Sequence, residues 1–207
     1  MPGPGVRVTG GAHRGRALTV PAGARPTEGR VREALFSIWQ DRLDGARFLD
    51  LFAGSGVVGL EAAGRGALTV LCVDQDIEAV RAIAANAARL GEAMLDTRRL
   101  TLPAGLAALA VPGAGTGQGT ALGTAAGSAS AAAMGAGSFD LVFADPPYRF
   151  DAFEPLLLGL PSLLARDAEI AVEHSSRRDL PLTAGPMVRT DLRRYGESAL
   201  AFYRAME

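Results

Sequence analysis

The sequence predicts an α/β protein: a doubly wound, mostly parallel sheet with an antiparallel C-terminal hairpin and a small N-terminal extension of hairpin and helix. Three observations predict it. Strand-like apolar runs alternate with helical ones between Arg47 and Val172. The first strand runs straight into Ala53-Gly54-Ser55-Gly56, a glycine turn that opens a helix. The tail offers two β-like runs, Met187 to Tyr195 and Ala199 to Tyr203, joined at Gly196. With 207 residues, 48% of them hydrophobic, the chain can build one good core and a small appendage. The boundaries expected are an extension over 1–44 and a main domain over 45–207, interrupted by an insertion at 113–137.

In the extension, Val6 to Thr9 and Ala17 to Val20 flank Gly-Gly-Ala-His-Arg-Gly-Arg and predict a hairpin with a basic tip. A helix starts at Pro26-Thr27, with Val31, Ala34, Leu35, Ile38 and Trp39 on one apolar face. Arg30 and Arg32 fall off that face, so they belong either to a solvated helix end or to a phosphate-contacting arm. Arg47 to Phe52 is the first strand of the main domain, and Thr69 to Val73, ending in Asp74, is the second. Ile77 to Leu90 has a clear helical stripe, whereas the next strand and helix, within Arg98 to Leu109, are faint. The insertion is mostly glycine and alanine and carries no charge. It offers little to bury, so a flexible surface loop is expected, with a short alanine-rich helix at Ala129 to Met134 as the alternative.

The apolar strand Leu141 to Ala144 ends in Asp145-Pro146-Pro147-Tyr148. Neither proline has an N–H to continue a ladder, so the chain leaves the sheet there with carbonyls unpaired. Asp145 adds a carboxylate and Tyr148 an aromatic face. Acceptors beside a stacking platform suit an amino group on a flat base; the alternative is a plain strand exit. A helix, Phe153 to Leu164, and a strand, Glu169 to Val172, follow. Glu173-His174 then stand at the same edge, in a structural or a functional role. Ligands of such sheets sit at the carboxyl ends of the strands, and Gly54, Asp74 and Asp145 each follow one.

Composition removes several function classes. The net charge is −1, but Met1 to Thr27 contains Arg7, Arg14, Arg16, Arg25 and His13 and no acid. Every basic residue is arginine, whose planar fork suits phosphate. A single cysteine, Cys72, excludes an internal disulfide or a multi-cysteine zinc site and fits a reducing cytoplasm. His13 and His174 lack ligand-spaced partners, so no metal is expected. No apolar run approaches about 18 residues, so no membrane span or export signal is expected either.

Gly54-Ser55-Gly56-Val57-Val58-Gly59 matches the dinucleotide pattern G-x-G-x-x-G. Asp50, four residues before Gly54, argues against that ligand. Its carboxylate would repel a pyrophosphate and attract an ammonium and a sulfonium. S-adenosylmethionine carries both charges, has no phosphate, and offers a ribose to Asp74. The alternative for Asp50 is a strand-end acid facing water.

These residues resemble the RsmD-type methyltransferases, which methylate the exocyclic N2 of one guanine in bacterial 16S ribosomal RNA. The resemblance rests on Gly10 to Arg16, Arg25-Pro26-Thr27 with Arg30 to Phe36, and Asp50-Leu51-Phe52-Ala53-Gly54-Ser55-Gly56. It continues through Val73-Asp74, Asp145 to Tyr148, Val172-Glu173-His174 and Arg194-Tyr195-Gly196. It implies the Rossmann-like class I S-adenosylmethionine-dependent methyltransferase fold with a seven-stranded sheet, a cytoplasmic monomer, and the small ribosomal subunit as partner. It implies cofactor contacts from Asp50, Phe52, Ala53, Gly54, Ser55, Gly56 and Asp74, and catalytic roles for Asp145, Pro146, Pro147 and Tyr148. Arg14, Arg16, Arg25, Thr27, Arg30 and Arg32 would contact RNA. The chain departs from the family where an acid usually ends the third strand: Leu100 to Gly105 has none, which leaves adenine to backbone and apolar contacts. The alternatives are a DNA adenine-N6 methyltransferase, a dinucleotide-dependent oxidoreductase, and an RNA-binding or assembly factor without turnover.

Overall fold

The computed structural model describes residues 6–20, 29–110 and 138–206. The insertion and the start of the helix at Pro26-Thr27, with Arg25, lie outside the described residues. The strands are β1 (Arg47–Leu51), β2 (Thr69–Asp74), β3 (Leu95–Arg99), β4 (Phe139–Ala144), β5 (Leu164–Ser175), β6 (Thr183–Ala184), β7 (Met187–Tyr195) and β8 (Ser198–Ala205). They form one sheet in the order β3-β2-β1-β4-β5-β8-β7-β6. The first five pair in parallel, and β8 turns antiparallel on β5. The helices described are α1 (Gly29–Ile38), α2 (Val57–Gly64), α3 (Ile77–Leu90) and α4 (Phe153–Gly159).

Alternation along the strands splits the core in two. Phe48 joins Leu35, Trp39, Leu60, Ile83 and Phe202 on one face; its neighbour Leu49 joins Val142, Val172, Leu106 and Leu156 on the other. Both faces of the central strands are buried, which is why they read as unbroken apolar runs. Val8 and Leu18 of the extension, with Val31 and Phe36 of α1, pack into the first of these clusters. Among the described residues no helix is long and apolar enough to cross a membrane.

Four expectations are corrected or narrowed. The sheet has eight strands rather than seven, because the two-residue β6 adds an edge to β7. The N-terminal hairpin forms but is short and irregular, with one bridge, Arg7 with Ala17, around a 3-10 turn at Gly11–His13. Across it, Val8 N–H donates to the Arg16 carbonyl, Gly15 N–H to that of Val8 and Leu18 N–H to that of Val6. Two further amides turn to side chains: Thr9 N–H donates to Glu61 and Thr19 N–H to Asn86. The faint third strand starts earlier, at Leu95, and a 3-10 segment, Ala104–Leu109, replaces the helix after it. Finally, α4 stops at Gly159, because Pro161 has no N–H to continue the helical bonding and instead opens a 3-10 turn. The strand that follows therefore begins at Leu164.

Candidate active site

Three carboxylates meet at the carboxyl edge of the central strands. Asp50 pairs with Cys72 on one side and Phe143 on the other, so the ends of β1, β2 and β4 are level. The ladder reaches one residue past β4: Asp145 N–H donates to the Leu51 carbonyl at 3.3 Å. Pro146 then has no N–H to offer, and the chain leaves the sheet as its sequence predicts.

Asp50 is 1% exposed, and its Oδ2 accepts the Gly59 N–H at 2.9 Å. It thus sits under the first turn of α2, satisfying an amide that the helix leaves unpaired. Burial pushes its carboxyl up to about 8 against the lowering effect of that hydrogen bond, and the charges of Asp145 and Asp74 add to the rise. Cys72, buried beside it, is pushed upward by burial and then by Asp50. Asp74 Oδ2 accepts the Gly54 N–H at 2.8 Å, and its Oδ1 accepts the Asp76 N–H at 2.9 Å. Each carboxylate oxygen keeps lone pairs beyond these bonds.

The turn between them is held in left-handed backbone at Gly54 (φ +52°) and Gly56 (φ +69°). A Cβ at Gly56 would meet Ile83 Cγ1 at 2.5 Å, so the turn closes tightly on α3. A Cβ at Gly54 would meet only the Phe52 carbonyl, at 3.8 Å, so its outer side is open to a ligand. Phe52 itself has φ +59°, a conformation costing a non-glycine residue about 1–3 kcal/mol. Its ring stands edge-on to Phe150 at 5.1 Å, and Phe150 stands edge-on to Phe153 at 5.1 Å. Ser55 is buried and its hydroxyl accepts from Val57 N–H, so its side chain serves the turn.

Beyond the sheet edge, Pro147, Tyr148 and Arg149 are exposed, Tyr148 by 78%. Phe150 anchors this tip: its N–H donates to the Pro147 carbonyl at 2.7 Å, and Arg178 donates to the Phe150 carbonyl. Phe150 escaped the sequence reading, although an aromatic two residues after Tyr148 is a signal for an inward anchor. His174 is buried (8% exposed), with Nδ1 on the Ser175 carbonyl and no partner for Nε2 among the described residues. Burial lowers its pKa, which keeps it neutral.

The arginines expected to contact RNA separate. Arg32 is a correction: it is 3% exposed, donates to Glu61 at 3.0 Å and to the Arg7 carbonyl at 2.9 Å, and cannot present its fork to a phosphate. Glu61, fully buried, also takes Thr9 and Arg65. Arg32 beside Glu61, and Arg65 over the Phe36 ring, show that α1 runs alongside α2 in the same direction. Arg30, exposed, therefore lies towards the end where α2 leaves the glycine turn. Arg14 and Arg16 are exposed on a turn whose Gly11 abuts Gly64, at the far end of α2. Arg25 and Thr27 lie outside the described residues.

The edge has the chemistry of a cationic ligand's site. The acidic side chains of Asp50 and Asp74 at the glycine turn disfavour a pyrophosphate and suit an ammonium and a sulfonium. Among the described residues no cluster of His, Cys, Asp and Glu could hold a metal ion.

Comparison with known proteins agrees with this architecture. A solved ribosomal protein L11 methylase from Lactobacillus delbrueckii subsp. bulgaricus shares the fold at 17% identity (TM-score 0.64; 94% of this chain, 88% of that one). The fold is that of the class I methyltransferases. A family model described as "Conserved hypothetical protein 95" matches residues 6–204. Ribosomal RNA small subunit methyltransferase D of Escherichia coli (strain K12) is 34% identical over 180 residues, 85% of this chain and 78% of the relative. A solved hypothetical protein of Thermus thermophilus is 33% identical (TM-score 0.72; 95% of this chain, 98% of that one). The chain belongs to this family, the RsmD-type methyltransferases.

Proposed function

We propose that the protein methylates ribosomal RNA of the small subunit, and that the acceptor is the exocyclic N2 of a guanine. The observation that carries the reading is the Asp145-Pro146-Pro147-Tyr148 exit, hydrogen-bonded to the end of β1 beside the glycine turn. The family relationship, and the name of the Escherichia coli relative, support the RNA substrate.

In this reading the turn Phe52 to Gly56, with Asp50 beneath it and Asp74 beside it, holds S-adenosylmethionine. When bound, that cofactor supplies a methyl group made electrophilic by its sulfonium. The open side of Gly54 lets the backbone approach the ligand, and Asp74 has lone pairs left for ribose hydroxyls. Guanine N2 is a poor nucleophile, because its lone pair is delocalised into the ring. The Asp145 carboxylate and the Pro146 carbonyl accept its two N–H bonds, which aims the nitrogen and returns electron density to it. Tyr148 stacks on the base, a contact worth about 1–3 kcal/mol. The base must be splayed out of its RNA context to reach them, as for other enzymes acting on bases. Holding nitrogen and methyl group at attack distance supplies most of the acceleration. Arg14, Arg16 and Arg30 steer RNA through its phosphates.

The test is methyl transfer from labelled S-adenosylmethionine to unmodified small ribosomal subunits, with DNA in parallel, followed by digestion to nucleosides. The reading expects label in N2-methylguanosine. Label in N6-methyladenine would keep the fold and replace the substrate. Cofactor binding without transfer to either would point to a binding or assembly role.

A further inference from the structure

The tip that exposes Tyr148 also carries a cation, Arg149. Arg149 is exposed and, among the described residues, makes no side-chain hydrogen bond or ion pair. It is not on a loose loop, because Phe150, wedged between Phe52 and Phe153, fixes the backbone next to it.

Sheet register brings a second such arginine to this edge. Arg194 on β7 faces Ala199 on β8, and Ala199 faces His174 on β5. Ala144 faces Val172, so two residues further on Pro146 comes level with His174. Arg194, Ala199, His174 and Pro146 therefore form one row across the carboxyl edge. Three strand spacings, about 14 Å, separate its ends. His174, whose pKa is lowered first by burial, also feels Arg189 and Arg194 as positive neighbours.

The other guanidiniums here are engaged. Arg177 pairs with Glu197, Arg193 with Asp191, and Arg189 donates to the Leu180 carbonyl. Arg178 is spent on the Phe150 carbonyl and the Phe153 ring. Arg194 is exposed and makes no side-chain hydrogen bond or ion pair among the described residues. Arg149 adjoins Tyr148 in the chain, and Arg194 stands on the hairpin side of the same sheet edge.

We infer that Arg149 and Arg194 bind RNA phosphates flanking the target nucleotide, as a second backbone contact independent of the N-terminal extension. A base splayed out of its strand needs the backbone held on both sides, or the strand swings with it. Arginine is suited to this, since its planar fork takes two phosphate oxygens at once. The inference rests on the RNA-methylation reading and deepens it.

The test uses the full-length protein and unmodified small ribosomal subunits, with binding measured between about 50 and 200 mM salt. Arg149→Ala and Arg194→Ala should each weaken binding several-fold and flatten the slope of log affinity against log salt by about 0.7–1. Arg149→Lys and Arg194→Lys should restore most of the slope, because the charge remains. In turnover, KM should rise with kcat retained. Affinity for S-adenosylmethionine should not change. Arg81→Ala, which removes an exposed α3 arginine paired with Glu78, should leave both readouts at the wild-type level. Wild-type slopes in both alanine variants would overturn the inference and leave the RNA reading standing. Wild-type protein that binds subunits weakly and without salt dependence would remove both.

Discussion

The glycine turn after β1 and the Asp-Pro-Pro-Tyr exit after β4 lie side by side at one sheet edge, yet they are built in opposite ways. The turn is closed and internally satisfied: Asp50 takes Gly59, Asp74 takes Gly54 and Asp76, and Gly56 fits against Ile83. The exit is open, with Pro147, Tyr148 and Arg149 turned to solvent. A small ligand is best held by a rigid cradle, while a nucleotide within a large RNA must be met by a surface it can reach. Phe52 joins the two, strained in the turn and packed edge-on against the anchor of the exit. The difference teaches that changes in the turn should act on stability and cofactor affinity, and changes in the exit on the RNA side alone.

The largest effect is expected from breaking the turn. Gly56→Ala forces a side chain into left-handed backbone and into Ile83, a combined cost of about 2–5 kcal/mol. Denaturant midpoint and affinity for S-adenosylmethionine should fall together. Tyr148→Ala should raise KM for the RNA substrate by about 5- to 150-fold, the equivalent of 1–3 kcal/mol of stacking. Its melting temperature and cofactor affinity should stay near wild type, because the side chain is exposed. A matching loss of stability would deny the open character of the exit.

A third effect is a pH dependence. Burial holds the Asp50 carboxyl up to about 8 in the fold, far above its unfolded value. Its contribution to stability is therefore complete below the ordinary carboxyl value of 3.8 and is lost as pH rises from there to about 8. Thermal melts of the cofactor-free protein should show falling Tm over that window, and Asp50→Asn should flatten the fall. A decline of equal slope in the variant would assign the dependence to other groups.

Much of this edge was legible in the sequence because single residues there dictate the backbone. Prolines at 146 and 147 must end a ladder, and glycines at 54 and 56 must permit a tight turn, whatever surrounds them. The environment of Asp50 was less legible. It follows the strand as expected but lies buried beneath α2, where only the fold brings Gly59 to it. Arg32 was misread for a similar reason. On a helical wheel it is polar and off the apolar face, but its partner Glu61 arrives from another helix. The third strand stayed faint because Leu95-Asp96-Thr97-Arg98-Arg99 alternates poorly and stands at the sheet edge. The hairpin of the extension formed as read but stayed short, because Glu61 and Asn86 took the amides of Thr9 and Thr19.

The division of labour between turn and exit is tested most directly on Asp145. Asp145→Ala would be assayed for S-adenosylmethionine affinity by calorimetry and for single-turnover methyl transfer to unmodified small subunits. The account predicts transfer slowed on the order of 100-fold or more, with cofactor affinity close to wild type. Loss of cofactor affinity in step with transfer would contradict it, placing Asp145 in the cradle instead.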